Sequence, residues 1–325
     1  MKIAVFGYYN ALNFGDDRLQ HCITRLLTGH TVVFLPHYLP VPKSYLQDFD
    51  WILIGGGGLV FERVGIWVKM HQWIRHCRAK IGVFGLGVNR ISPELKPELD
   101  TLLACAKFFF VRDEESKTLL NHPKVEVFPD LTWCFPIVHN VIPQTGGISL
   151  NLVSCHWKPY SPEAWIKTLP SVQIYPFPFH FGKGRDAALL SEFFSNVPSE
   201  FSLLPLLQSQ LLVACRFHAI VFAMQLGKPF VAISYDDKVS RLVTESGLSE
   251  CLLETTAHDL LPAKIDYVIQ HQAELQHKMA AYAAQQQQLA QRLTQKLHAH
   301  LEVKSDQQPY LMTSIKTKLR QVFST

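Results

Sequence analysis

Short apolar runs recur along this chain with helix-length stretches between them, and that alternation restricts the fold more than any other feature. Runs at 2–6, 31–35, 51–54, 81–84, 108–111 and 125–128 form one series, and those at 148–152, 172–175, 211–214 and 230–234 form a second. Strand-length runs separated by helical segments are the pattern of βαβ units, whose crossover helices make the strands parallel. The expected fold is therefore α/β with two Rossmann-like halves. Residues 138–147 combine Pro143 with the pair Gly146-Gly147, and the linker is placed there. Residues 1–140 then form an N-terminal domain and 141–264 a C-terminal one, which suits 325 residues at about 150 per domain.

Beyond the second series, residues 265–302 contain no Pro or Gly. Leu275, Met279, Tyr282, Leu289, Leu293, Leu297 and Leu301 recur there mostly at three- or four-residue steps, predicting one long amphipathic helix. The glutamine tract at 285–288 reads as a solvated face of that helix. The tail at 303–325 carries Lys304, Lys316, Lys318 and Arg320 against Asp306, with Ile315, Leu319, Val322 and Phe323 on an apolar side. It is either a frayed end or a weak peripheral contact with an anionic membrane.

The net charge of +4 lies largely in that tail, so the body is close to neutral, which disfavours a nucleic-acid footprint. Hydrophobic content of 48% against 18% charged residues is that of a soluble, well-buried protein. No apolar run approaches the roughly 20 residues of a membrane span, and the start of the chain has no signal-peptide core, so a cytoplasmic location is expected. The seven cysteines are scattered without a C-x-x-C pair and read as reduced core residues, with no metal-ligand spacing.

The chemistry concentrates at strand ends. Cys215-Arg216-Phe217-His218-Ala219 sets a guanidinium and an imidazole two residues apart where an apolar run meets a helix-compatible stretch. In a parallel sheet that edge is the ligand edge, and helix N-termini there favour anions. A buried Arg216 packing helix on sheet is the alternative, and it too would need an anionic partner. The first run empties into Gly7-Tyr8-Tyr9-Asn10-Ala11-Leu12-Asn13-Phe14-Gly15-Asp16, which lacks the G-x-G-x-x-G spacing of a dinucleotide fingerprint. Asn13 and Asp16 are candidate substrate contacts, with Asp16 expected to cap the following helix.

Gly55-Gly56-Gly57-Gly58 follows the third run and Gly85-Leu86-Gly87 the fourth. These read as glycine turns or as loops whose N–H groups, at Gly56, Gly57 and Gly87, cradle an anion. Arg112 follows the fifth run and Asp130 the sixth, where Arg112 pairs with Asp113 or Asp130 or meets substrate. His180, Tyr235 and Lys238 follow runs of the second half.

Taken in order, Gly-Tyr-Tyr…Asn-x-Gly-Asp, the glycine run, Gly-x-Gly, Val-Arg-Asp-Glu-x-Ser, Pro-Asp, Arg-Phe-His-Ala, Gly-Lys-Pro and Tyr-Asp-x-Lys resemble the polysaccharide pyruvyl transferase family. The resemblance covers about residues 3–250. It implies two Rossmann-like domains in a GT-B-like arrangement, an acceptor side in the N-terminal half and a phosphoenolpyruvate side in the C-terminal half. It further implies that phosphoenolpyruvate is the donor, that a sugar of a bacterial surface glycan or a lipid-linked oligosaccharide is the acceptor, and that Arg216 and His218 match donor-site residues. One departure is visible. Many members carry an arginine near the end of the first strand of the C-terminal domain, where this chain reads Ile148-Ser149-Leu150-Asn151-Leu152-Val153-Ser154, so a donor contact is missing or supplied elsewhere.

Such a reaction needs fixed cations for a carboxylate and a phosphate. Arg216 offers a planar fork facing the cleft and not the core, and His218 a proton shuttle near neutral pH. No cofactor or metal is required beyond the donor itself. A nucleotide-sugar glycosyltransferase of the same two-domain form, and a glycan-binding relative that has lost catalysis, are the alternatives.

Overall fold

The computed structural model describes residues 1–36, 41–60, 78–138, 146–155 and 158–301. Most of the linker segment, Cys77 and the basic tail at 303–325 lie outside these residues.

Six parallel strands form the first sheet: β1 (Lys2–Gly7), β2 (Thr31–Pro36), β3 (Trp51–Val60), β4 (Lys80–Val88), β5 (Phe109–Val111) and β6 (Val125–Val127). Their order is β2-β1-β3-β4-β5-β6, so the chain reverses its direction of travel across the sheet between β1 and β3. The second sheet contains β7 (Ile148–Asn151), β8 (Ile174–Pro176), β9 (Leu211–Ala214), β10 (Phe230–Ile233) and the short β11 (Leu252–Leu253) in the order β11-β10-β9-β7-β8. It too is parallel, and it reverses between β7 and β9. At each reversal the crossover helices leave to opposite faces and open a crevice at the carboxyl ends of the strands. The two crevices hold Gly57 and Asn13 on one side and Arg216 and His218 on the other.

Alternation along β3 divides the first core: Ile52 and Ile54 join one hydrophobic cluster, Trp51 and Leu53 the other. Residues 55–58 depart from the sequence expectation. They are not a loop but the continuation of β3, paired with β4 through Gly55↔Phe84, Gly57↔Leu86 and Val60↔Val88, with a register shift between Gly57 and Val60. Gly85 and Gly87 likewise lie within β4.

The C-terminal helical region is divided at His271. A first helix, Leu261–Gln270, carries Pro262 in its first turn, where a missing N–H is harmless, and packs Leu261, Ile265 and Val268 into the second core. The long helix, Gln272–Leu301, buries Leu275, Met279 and Ala290 in the second core and Leu293, Leu297 and Leu301 in the first. The expected single helix from 265 is thus interrupted at His271, whose φ of −101° and ψ of 18° leave the helical range. Gln286, in the tract expected to be solvated, is buried, whereas Leu289 is only partly so. Among the described cysteines Cys105 is exposed, contrary to the expected core position. No described helix is long and apolar enough to cross a membrane.

Candidate functional site

The edge of β9 is held from the neighbouring strand. Asn151, the last residue of β7, accepts from the Arg216 backbone N–H at 2.9 Å, and Arg216 then opens the Phe217–Gln225 helix. The Arg216 fork does not stand free. Its Nε donates to Asp186 Oδ2 at 2.9 Å and its Nη2 to Asp186 Oδ1 at 2.5 Å. Asp186 is wholly buried at the start of the Asp186–Ser191 helix and also accepts from the Phe179 backbone N–H at 3.3 Å and from Asn151 Nδ2 at 3.4 Å. The expectation that Arg216 faces only the cleft is corrected, because a charged aspartate removed from water needs a paired cation. Arg216 serves the core and the cleft together.

The first half contributes from helix α1 (Phe14–Leu26). Asn13 is its N-cap residue but makes no side-chain cap, and Asp16 lies in the first turn. The expected capping by Asp16 is thus absent, and its carboxylate lines the cleft instead. Gly57 explains how it fits: with φ at +87°, and an added Cβ only 2.7 Å from Asp16 Oδ1, the position excludes other residues and leaves the carboxylate its space. Gly15 does the same between the halves, since a Cβ there would collide with the His218 ring.

Arg112 follows β5 and stacks its guanidinium over the Phe217 ring, 4.6 Å from the centroid. Its side chain is 3% exposed. Asp113 at 3.6 Å and Asp130 at 3.9 Å are too distant for strong hydrogen bonds, and among the described residues Arg112 Nε and Nη2 have no hydrogen-bond partner. Asp130 uses Oδ1 to accept from the Thr132 N–H and hydroxyl, while Oδ2 stands 3.5 Å from His218 Nε2. Burial works against the charged Asp130 carboxyl, but His218, Arg112 and the Thr132 N–H together hold it down to about 2. His218 therefore faces a permanent carboxylate from the other half of the molecule.

A cleft of about 450 Å³ lies between the halves. From the second half it is lined by Arg216, His218, His180, Tyr235 and Lys238, and from the first by Asn13, Asp16, Gly57 and Arg112. Three candidates stand outside the lining: Gly56 backs onto Leu19, Gly87 packs behind Arg112, and Asp130 lies behind His218 and Arg112. Hence neither Gly56 nor Gly87 forms the expected anion cradle; their missing side chains make room for neighbours. Burial and the nearby Arg216 push His180 down to about 4, and its Nδ1 accepts from the Gly182 N–H at 3.1 Å. Lys238 pairs with Asp236 at 3.2 Å; burial opposes its charge, yet Tyr235 and Asp236 keep it above its ordinary value.

The sequence places Arg185-Asp186 at a strand end facing the cleft but assigns neither a role; Asn151 and the apolar Phe217, which stand in quoted motifs, are likewise given none. The backbone also bridges the halves over the cleft. The Phe14 N–H donates to Phe179 O at 2.8 Å and the Phe181 N–H to Leu12 O at 2.9 Å, making an antiparallel bridge of Asn13 with His180.

The family model described as polysaccharide pyruvyl transferase matches residues 13–237. No curated protein sequence matches the chain. Among solved structures, HepE of Anabaena in complex with UDP-glucose is 14% identical over 92% of this chain and 100% of that one, with a TM-score of 0.63. The S. aureus MnaA structure with UDP is 9% identical, covering 95% of this chain and 99% of that one at a TM-score of 0.55. UDP-GlcNAc 2-epimerase from Neisseria meningitidis, bound to UDP-GlcNAc, is 12% identical over 92% and 100% of the two chains at 0.50. At these identities the likeness is one of fold, two Rossmann-like domains in a GT-B-like arrangement with a long C-terminal helix.

Proposed function

Because the chain belongs to the polysaccharide pyruvyl transferase family, we propose that it transfers pyruvate from phosphoenolpyruvate, as a ketal, to a hexose of a bacterial surface polysaccharide or its precursor. The observation that carries this reading is the convergence of Arg112, Arg216 and Lys238 with His218 on one cleft. A donor bearing both a carboxylate and a phosphate needs several fixed cations, and guanidinium groups bind such oxygens with defined geometry. Arg112 is suited to this because its Nε and Nη2, buried at the cleft wall, have no hydrogen-bond partner among the described residues. Asp186 holds Arg216 by Nε and Nη2, so Nη1 is the atom offered to the donor. Arg185, on the rim, supplies the cation that the first strand of this half lacks.

In this reading His218 gives a proton to the enol carbon and a sugar hydroxyl adds to the carbon bearing the phosphate. A neighbouring hydroxyl then displaces phosphate and closes the ketal. Asp130 Oδ2, 3.5 Å from His218 Nε2, keeps the imidazole oriented. The acceptor enters from the first half, past Asn13 and Asp16. A lipid-linked acceptor at the inner face of an anionic membrane would be reached through the basic tail.

The test is incubation with isotope-labelled phosphoenolpyruvate and a panel of para-nitrophenyl hexosides, following label in the sugar and release of phosphate. Label in the hexoside with stoichiometric phosphate is expected. Consumption of a nucleotide sugar in place of phosphoenolpyruvate would identify a glycosyltransferase, and binding of neither donor would identify a relative without catalysis.

A further inference from the structure

An acidic side chain stands in the middle of this cationic cleft. Asp16 lines the cleft beside Gly57, and the charged groups that act on it come from both halves of the molecule. They are Arg112 after β5, Arg216 and His218 at the Phe217–Gln225 helix, and Lys238 on the Asp237–Glu245 helix; buried Tyr9 faces it from the end of β1. A carboxylate here repels an anionic donor, and it does not cap α1.

We propose that Asp16 is the base that takes the proton of the attacking acceptor hydroxyl and later returns it to the departing phosphate. The proposal rests on the phosphoenolpyruvate reading above. Addition of a hydroxyl to the donor places a proton on the methylene carbon while the hydroxyl oxygen, forming its bond to the adjacent carbon, loses one. One group must give and a second must take at the same time. If protonated His218 gives, His218 becomes neutral and Asp16 becomes the acid. In the second step the neighbouring hydroxyl forms its bond to the same carbon as the carbon–oxygen bond to phosphate breaks. His218 takes that hydroxyl's proton and Asp16 gives its own to the phosphate oxygen. Both groups return to their starting states, and atoms and charge balance without a further reactant.

The environment suits the role. Burial raises the Asp16 carboxyl to about 6, although His218, Lys238, Arg112 and Arg216 each pull it down. A base poised near the working pH can both accept and give. His180 is the other titratable group of the cleft wall, but burial and Arg216 keep it neutral and its Nδ1 is engaged.

The experiment compares the parent with Asp16→Asn and Asp16→Glu, using phosphoenolpyruvate binding by calorimetry and label transfer to para-nitrophenyl hexosides. Asp16→Asn is expected to bind phosphoenolpyruvate at least as tightly, because a like charge is gone, while kcat falls about 10²–10⁴-fold. Asp16→Glu is expected to recover part of the rate, and the acid limb of the parental rate profile near pH 6 should vanish in Asp16→Asn. Thermal unfolding serves as the folding control and has a sign of its own. A carboxyl whose folded value is raised destabilises the fold increasingly as pH rises above its ordinary value of 3.8, so the Asn variant should melt higher at pH 8 and nearly unchanged at pH 3. Parental kcat in Asp16→Asn overturns the proposal, as does loss of phosphoenolpyruvate binding by that variant while folded. A parent that neither binds phosphoenolpyruvate nor transfers label overturns the donor reading instead.

Discussion

Arg216 shows how one side chain can be both structural and functional. Its partner Asp186 is wholly buried, so removing the guanidinium leaves an unpaired charge in the interior. Breaking such a pair from one side typically costs about 3–5 kcal/mol, whereas neutralising both sides costs far less. Arg216→Ala should therefore unfold at markedly lower urea, and Arg216→Ala combined with Asp186→Asn should regain most of that loss. Neither variant should bind phosphoenolpyruvate. A double variant as unstable as the single one would mean the pair is not the cause, and parental affinity in either would remove Arg216 from the donor site. Lys228, from the Gly-Lys-Pro motif, shows the structural extreme. It is 5% exposed, donates to the Ser209 carbonyl behind β9, and burial alone pushes it down to about 8.

Among the elements, β3 and the long Gln272–Leu301 helix do the most to position the site. The glycines of β3 let α1 and its carboxylate approach the sheet, so a stretch that looks like a loop is a strand stripped of side chains where neighbours must come close. The long helix starts in the second core and ends in the first, tying the halves across the cleft. Leu297 is fully buried at its far end, and large-to-small changes at such sites cost about 2–5 kcal/mol. Leu297→Ala is expected to lose that much in urea unfolding, against a loss of less than about 1 kcal/mol for the partly exposed Leu289→Ala. Equal losses would show that the helix does not anchor the first core.

At the scale of the molecule, chemistry depends on two halves meeting. His218 from one faces Asp130 from the other, and Arg241 pairs with Glu115 while its Nη1 reaches the Val88 carbonyl at 3.4 Å. Charge reversal at Arg241→Glu should open the cleft, raising the radius of gyration in X-ray scattering and lowering kcat/KM several-fold. Adding Glu115→Arg should restore both, and a reversed variant with parental scattering and rate would show that this contact does not govern closure. Much of this architecture is legible in the chain itself. Apolar runs alternating with helical stretches dictate parallel sheets, and parallel sheets put their ligand edge at the carboxyl ends of the strands, so Arg216, His218, Arg112, Asp16 and Lys238 could be picked from local position. What they do there could not. The partners that decide it are distant in sequence, as Asp186 is from Arg216 and Asp130 from His218, and no local periodicity encodes which buried carboxylate will face which cation. Only packing decides that, because the charge of each group is set by the water it loses and by the neighbours that folding brings to it.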